Sequence, residues 1–401
     1  MSATIEKSLD THQVKTFNAE ETLASILYDF ENTAIKRDLI GGHAKYERDL
    51  IRNSGLLGYG LPKKFGGHGA SWSDIYRIVR KIAQVDSALA HIYAFHNLQL
   101  TTIALYGDEK QYETHAKETI VNQLFWGNAL NPNDKRAIAK NIGDGYQING
   151  PKSYCSGSVG SDRLIVSAWH EPSQSLLFAA IPSNRAGVTI TSDWDAFGQK
   201  QTDSGTVLFN DVQIESHEVL VEPGRILSSK STVRSLIAQH ILTTLYTGIA
   251  QGVLKRGAEY IRKNSRPYFD SGVAKASDDP YIQNRFGKLQ TKVRAAELVS
   301  DHASKKIDEA LKIGDELNSE ARGLLAITAA ESKVIAHEAA IEASNQIFEL
   351  MGASSTSAKF GLDRFWRNAR VHTLHDPIDY KLRDIGIHAL TGRVPTPTSY
   401  S

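Results

Sequence analysis

The sequence has almost no cysteine, no long apolar run and no excess of charge of either sign. Cys155 is the single cysteine, which excludes an internal disulfide. The apolar stretches are short and interrupted, so no membrane-spanning helix is expected, and the start, MSATIEKSLDTHQ, has no apolar signal region. Forty-six Lys and Arg against 45 Asp and Glu leave a formal charge of +1, which gives no signature of nucleic-acid or anionic-membrane binding. A soluble cytoplasmic protein is expected.

The hydrophobic period changes twice along the 401 residues. From about residue 18 to 118 apolar residues recur every three or four positions, and Ser71 with Asp74 forms a capping-box helix start. From about 123 to 220 the period is two, with a hairpin signal at Asn149-Gly150. After about 225 four long amphipathic helices predict a bundle.

These periods predict a mainly α protein with a central β domain. The strands, which have no helices between them, indicate an antiparallel sandwich or barrel. We expect three domains: an N-terminal helical domain, a central β domain and a C-terminal helical bundle with a tail, over residues 1–120, 121–224 and 225–401.

Residues 370–381, RVHTLHDPIDYK, hold two histidines three positions apart in front of a helix start. Asp376 is a suitable N-cap and Pro377 fits the first helical position, which places His375 just outside the positive end of the helix. Taken alone, His375 is as well explained as a histidine in a capping loop. His372, His375 and Asp376 could also supply metal ligands, although no third ligand site is evident outside this segment.

The order of helices, β domain and bundle resembles the acyl-CoA dehydrogenase superfamily of flavoproteins, and so do the motifs LPKKFGGHG, INGPKSYCSG and TDSGTVLFNDVQI. In that superfamily the flavin lies between the β domain and the bundle, and the protein is usually a tetramer. Its dehydrogenases remove a substrate proton with a glutamate, commonly placed in the bundle or, in a Glu-Gly-Thr context, before the last helix. Here this segment reads Leu374-His375-Asp376-Pro377, which argues against dehydrogenation.

The chain instead resembles a side branch of flavin-dependent monooxygenases, most closely the dibenzothiophene monooxygenase type. The segments are WGNA, YCSGSVGSD, IPSNRAGVT, DWDAFGQKQTDSG, FGLDRFWRNAR and HTLHDP. The resemblance implies the oxygenase component of a two-component monooxygenase, which takes reduced FMN from a separate NAD(P)H-dependent flavin reductase and uses O₂ as co-substrate. A flavin C4a-hydroperoxide would then oxygenate a small organosulfur or similar heteroaromatic substrate. The alternative is an FAD-dependent acyl-CoA dehydrogenase-like oxidoreductase, and a scaffold protein without activity is a further possibility.

The resemblance also implies the site residues. Those expected to be catalytic, around the reactive face of the flavin, are His375, His91, Ser156 and Asn128. Those expected to bind the cofactor are Ser156, Asn128, Tyr154 and Arg266, with Arg266 at the phosphate. Phe95 and Trp194 are expected to line the substrate pocket, and no metal is expected.

Two departures and three alternatives accompany these assignments. Phe95 stands where the dibenzothiophene enzyme type has a tyrosine, and GASS at 352–355 lacks an arginine that this type carries. From the residues alone, His91 could be a core histidine, Asn128 could belong to a turn, and Arg266 could be a surface charge at a helix end.

Overall fold

The computed structural model describes residues 17–401 and begins with a layer of helices. Their bounds are α1 (Ala19–Ile40), α2 (Lys45–Asn53), α3 (Trp72–Ala83), α4 (Ser87–Tyr106) and α5 (Glu109–Asn122). The predicted capping box is confirmed, because Ser71 Oγ accepts from the Asp74 amide and the Asp74 carboxylate accepts from the Ser71 amide. Asp86 starts α4 by accepting hydrogen bonds from the amides of Ala88 and Leu89.

The middle of the chain forms one eight-stranded sheet. Its strands are β1 (Trp126–Ala129), β2 (Ile138–Ile142), β3 (Gly145–Lys152), β4 (Arg163–His170), β5 (Ser175–Pro182), β6 (Val188–Thr191), β7 (Thr206–Ile214) and β8 (Val219–Val221). The order is β6-β7-β3-β2-β4-β5-β8, with β1 beside β4. Most pairs are antiparallel as expected, but β1 and β2 each run parallel to β4, so the sheet is mixed.

The hairpin predicted at Asn149-Gly150 is wrong. The turn between β2 and β3 lies at Gly143-Asp144, and Asn149 and Gly150 fall inside β3, where the register against β7 shifts. Gly150 has a φ of 113°, and a Cβ there would lie 2.2 Å from the Arg136 carbonyl oxygen. The glycine therefore serves a bulge and a close backbone approach rather than a turn.

A helical bundle completes the fold. It contains α6 (Ser229–Lys263), α7 (Pro280–Ile313), α8 (Ser319–Met351) and α10 (Ile378–Thr391), with the shorter α9 (Asp363–Thr373) before α10. The mainly α fold with a central β domain is thereby confirmed, while the exact domain boundaries stay predictions. Within residues 17–401, no helix combines the length and apolar character needed to cross a bilayer.

The predicted cap of the last helix is wrong. Pro377 is the N-cap of α10, and in the described part of the chain no side chain makes a capping hydrogen bond to this helix. The Asp376 carboxylate is buried and forms an ion pair with Lys333 of α8 instead. A long-range charge partner has thus replaced the local cap.

Helix α4 positions the site because it is buried on almost every side. It contacts α3, α6 and strand β1, and so connects all three layers. A helix enclosed in this way presents each face to a different partner. Its polar side chains are therefore held at the junction of the layers.

Candidate active site

His91 lies at the centre of a buried aromatic cluster between α4 and α9. Its ring stacks on Phe95 with centroids 4.1 Å apart, and meets His372 edge-on at 4.9 Å. Burial lowers the pKa of His91 to about 3, and the nearby His375 acts in the same direction. Burial also lowers the pKa of His372 far below its usual value. Both rings are therefore neutral at physiological pH.

Neither ring nitrogen of His91 has a hydrogen-bond partner within residues 17–401. Two other buried histidines show the contrast. His96 is within hydrogen-bond distance of the Leu57 carbonyl oxygen and accepts from the Trp126 amide. His240 lies 2.8 Å from the Ser304 hydroxyl. His96 and His240 are satisfied core residues, whereas His91 has two polar atoms available to a bound molecule.

The β domain contributes Asn128 and Ser156 to the same junction. The backbone N–H of Asn128 donates to the Ser156 carbonyl oxygen at 2.9 Å. The Ser204 hydroxyl donates to Ser156 Oγ at 3.1 Å. Gln99 of α4 donates to Asn128 Oδ1 at 3.3 Å, and its own Oε1 has no hydrogen-bond partner among the residues that the structure describes. The structure thus places Asn128 and Ser156 together and links Asn128 directly to α4.

Backbone strain is concentrated in the two loops around Ser156. Tyr154, Gln199 and Asp203 have φ values of 59°, 53° and 50°, in the left-handed region that side chains other than glycine rarely adopt. Buried Arg48 holds both loops by donating to Asp203 Oδ2 at 2.8 Å and to the Gly157 carbonyl oxygen at 2.9 Å. Such strain, supported by surrounding contacts, is typical of a functional site.

Trp194 stands at the rim of this region and packs against Tyr154. The two rings meet edge-on with centroids 5.9 Å apart, and the indole N–H donates to the Gln199 carbonyl oxygen at 2.9 Å. Gln199 in turn donates from its side chain to Ser87 of α4 and from its backbone to Asn368 of α9. The loop carrying Trp194 is therefore tied to both helices of the cluster.

His375 is held from one side by a buried carboxylate. Its Nδ1 lies 3.2 Å from Asp376 Oδ1, and Asp376 also pairs with Lys333 and, at 3.5 Å, with Lys381. Burial alone would raise the pKa of Asp376, but the hydrogen bond with His375 and the charge of Lys333 outweigh it and lower that pKa. Burial lowers the pKa of Lys333 to about 8, against the opposing charge of Asp376. Gln239 accepts a further hydrogen bond from Lys333 at 2.5 Å.

The chain beyond α10 returns to cover this network. The Tyr400 ring meets His375 edge-on at 5.3 Å, and the Tyr400 carbonyl oxygen accepts from Lys381. His372 and His375 thus face different partners. Within residues 17–401, no three His, Cys, Asp or Glu side chains converge on a possible metal site.

The structure does not place Arg266 with the other residues. It is exposed in the loop that follows α6. Tyr268 and Phe269 in the same loop are 66% and 89% exposed. The Tyr246 hydroxyl marks the level of the site on α6, since it donates to the His372 carbonyl oxygen. From there to the end of α6 is about 25 Å along the helix axis.

Sequence reasoning missed Lys333, Gln239, Gln99 and Gln199. One signal was available for Lys333, because it follows Ala326, Ala329 and Ala330 at helical spacing and is therefore on the same face as small apolar residues. A lysine on such a face predicts a buried charge with a partner. The glutamines carry no comparable signal, because their roles depend on contacts across the layers.

A helical layer, a β domain and a bundle that meet at a buried polar junction define the acyl-CoA dehydrogenase fold. The profile of the acyl-CoA dehydrogenase N-terminal domain matches residues 18–120, and that of the C-terminal domain matches residues 241–380.

Three relatives resemble the chain over nearly its full length. The probable FMNH₂-dependent monooxygenase SfnC of Pseudomonas putida is 40% identical over 93% of this chain and 94% of its own. The structure of the methanesulfinate monooxygenase MsuC of Pseudomonas fluorescens has a TM-score of 0.94 and 40% identity, covering 96% of this chain and all of MsuC. The structure of TdsC of Paenibacillus sp. A11-2, solved with FMN and indole, has a TM-score of 0.92 and 38% identity, covering 95% of this chain and 99% of TdsC. The chain belongs to the acyl-CoA dehydrogenase family and, within it, to the branch of flavin-dependent monooxygenases.

The neutral state of His91 predicts a pH effect on stability. Between pH 6.5 and about 3 the unfolded chain binds a proton at His91 that the folded chain does not, so stability falls as the pH falls through this window. His91→Gln removes this loss, which is about 2 kcal/mol at about pH 5. In urea denaturation, the free energy of unfolding should decrease less between about pH 7 and pH 5 for this variant than for the wild type. His302→Gln, on the exposed surface of α7, should show the same decrease as the wild type. An unchanged pH dependence in His91→Gln would contradict the assignment.

Lys333 provides a second test. Lys333→Met leaves the buried Asp376 carboxylate with less compensation and should lower the free energy of unfolding by about 3 to 5 kcal/mol. Adding Asp376→Asn should recover part of the loss, because the uncompensated charge is gone. Lys305→Met, at an exposed position of α7, should change stability by less than about 0.5 kcal/mol. Equal losses in the single and double variants would show that Lys333 acts through packing alone.

Proposed function

We propose that this protein is the oxygenase component of a two-component, FMNH₂-dependent monooxygenase that oxygenates a small organosulfur compound. The observation that carries the proposal is His91, a buried neutral ring whose two nitrogens have no hydrogen-bond partner within residues 17–401, at the junction where the family binds flavin. The named relatives confirm the prediction of a monooxygenase with reduced FMN as its cofactor over the dehydrogenase alternative.

The segment before α10 also disfavours dehydrogenation. Asp376 is the carboxylate there, but its pKa is lowered by His375 and by Lys333. A carboxylate stabilised as an anion in this way is a weak base, so it is poorly suited to removing a carbon-bound proton.

The residues at the junction fit a flavin ring. A flavin presents both donors and acceptors at its edge, and Ser156, Asn128, Gln99 and Gln199 offer both kinds of group. The Oε1 atoms of Gln99 and Gln199 are buried without partners within residues 17–401, as expected where a polar ligand binds. Bound reduced FMN would supply the activation of O₂.

The chain supplies water exclusion and a positioned proton. The aromatic faces of Phe95 and His91 form an apolar wall, and Phe95 adds no hydroxyl where the related enzyme type has tyrosine. Asp376 fixes the tautomer of His375 by accepting from Nδ1–H, which leaves Nε2 to exchange a proton with the reacting group. His91, whose pKa is about 3, acts through hydrogen bonds rather than as an acid.

Arg266 suggests why the protein would be a homotetramer. It follows the end of α6, about 25 Å along the helix from the level of the site, so we propose that it binds the flavin phosphate in the site of a neighbouring subunit. The exposed Tyr268 and Phe269 beside it would be covered by the same contact. The source of FMNH₂ is proposed to be an NAD(P)H-dependent flavin reductase.

Stopped-flow absorbance tests the oxygenase function. Anaerobic protein with reduced FMN, mixed with oxygenated buffer, should give a near-ultraviolet band distinct from oxidised FMN that decays slowly. His375→Ala should shorten its lifetime by about tenfold, as expected for the loss of one hydrogen bond to the reacting group. His217→Ala, far more exposed, should behave as wild type. Oxidation at the rate of free flavin with no such band would contradict the proposal.

Flavin affinity tests the role of Arg266. Arg266→Ala should weaken binding of FMN by about tenfold or more but leave riboflavin, which lacks the phosphate, unaffected. Arg262→Ala, exposed in the last turn of α6, is the matched control. If Arg266→Ala preserves the wild-type ratio of FMN to riboflavin affinity, Arg266 does not bind the phosphate.

A further inference from the structure

Arg234 of α6 is a buried guanidinium that the proposed chemistry has not used. The residue is 8% exposed, and its Nε donates to Thr102 Oγ1 of α4 at 3.0 Å. Its two terminal nitrogens make no hydrogen bond within residues 17–401. Thr102 is itself fixed by donating to the Leu98 carbonyl oxygen at 2.8 Å. The guanidinium is therefore positioned from one side and free on the other.

Arg234 also forms no ion pair with a carboxylate within residues 17–401, unlike two of the other buried arginines. Arg37 pairs with Asp86 at 2.6 Å, and Arg48 pairs with Asp203 at 2.8 Å. For Arg234, burial lowers the pKa, and Tyr106 is the one opposing group within residues 17–401. A buried charge without a counter-charge is costly, so its presence indicates an anionic ligand.

A second cation faces the same place. Arg322 of α8 is fully buried, and its charge, like that of Arg234, acts on the Tyr106 hydroxyl. Its hydrogen bonds go to Thr232, Ser235 and the Ser401 carbonyl oxygen, but Nη1 has no partner within residues 17–401. A second buried guanidinium thus lies close to Arg234.

The position of Arg234 relative to the site follows from α4. Gln99, which contacts Asn128, precedes Thr102 by three residues, so Arg234 lies about one helical turn, roughly 4.5 Å of rise, beyond the level of Asn128. Phe95 and Leu98 share a helix face with Thr102. Arg234 is therefore placed to meet the charged group of a small molecule that lies next to the level of Asn128.

We propose that Arg234, oriented by Thr102, binds the anionic group of the substrate, and that the substrate is a small organosulfur anion of the alkanesulfinate class. This inference rests on the proposed monooxygenase function. Sulfur gains one oxygen atom and the sulfinate becomes a sulfonate, while the second atom of O₂ leaves as water with two electrons and two protons from FMNH₂. Substrate and product carry the same charge, so one guanidinium can hold both.

Binding of ethanesulfonate, an unreactive anion of the product class, tests the proposal without turnover. Calorimetry on the full chain should show binding that weakens at least tenfold in Arg234→Met. Arg234→Lys should weaken binding less, because lysine keeps the positive charge but cannot donate two parallel hydrogen bonds to the anion. Arg294→Met, at an exposed position of α7, should bind as wild type. The thermal melting temperature of each variant checks that it is folded. If Arg234→Met does not fold, Thr102→Val replaces it and should also weaken ethanesulfonate binding.

The phosphate of FMN has the same anionic chemistry and is the second possible ligand. We expect the ratio of FMN to riboflavin affinity to be unchanged in Arg234→Met. A drop in that ratio with ethanesulfonate binding intact would assign Arg234 to the cofactor and overturn the substrate proposal. Unchanged binding of both anions would also overturn it. Failure of the oxygenase function would show separately, as the missing absorbance band in the wild type.

Discussion

The buried ion pair between Lys333 and Asp376 is the interaction on which the arrangement of the site depends. It joins α8 to the segment before α10 and gives His375 a fixed partner. A buried pair of this kind adds little net stability, since desolvation offsets much of the attraction, but either charge alone would be costly. The pair therefore specifies one geometry, and the return of Tyr400 over His375 completes it.

The burial of polar side chains explains why the junction between the layers can be both dry and chemically active. Burial keeps His91 neutral, and the buried Oε1 atoms of Gln99 and Gln199 have no hydrogen-bond partner within residues 17–401, which leaves them available to a ligand. The strained loops around Ser156 persist because Arg48 ties them to α2. Stability is thus supplied by contacts outside the site, and the polar groups inside it are left for ligands.

Local patterns predicted the order of the layers and the capping box at Ser71, because these depend on periodicity and on neighbours in sequence. Asp376 and Asn149-Gly150 were misassigned because partners distant in sequence, Lys333 and the Arg136 carbonyl, decide what they do. The predicted site residues came from resemblance. Arg234 could not be identified from sequence, since a basic residue on an amphipathic helix normally faces solvent, whereas the alanines at helical spacing before Lys333 predict that this lysine is buried.

The α4 face that carries His91, Phe95, Leu98 and Thr102 changes character along its length. It begins with neutral aromatic rings, continues with an aliphatic side chain and ends at a hydroxyl that orients the Arg234 guanidinium. A small molecule with one apolar and one anionic end can satisfy this gradient in one direction only, because reversal would bury its charge against Phe95. Orientation would then follow from the order of residues on one helix, and the reacting sulfur would be presented on the same side in each turnover.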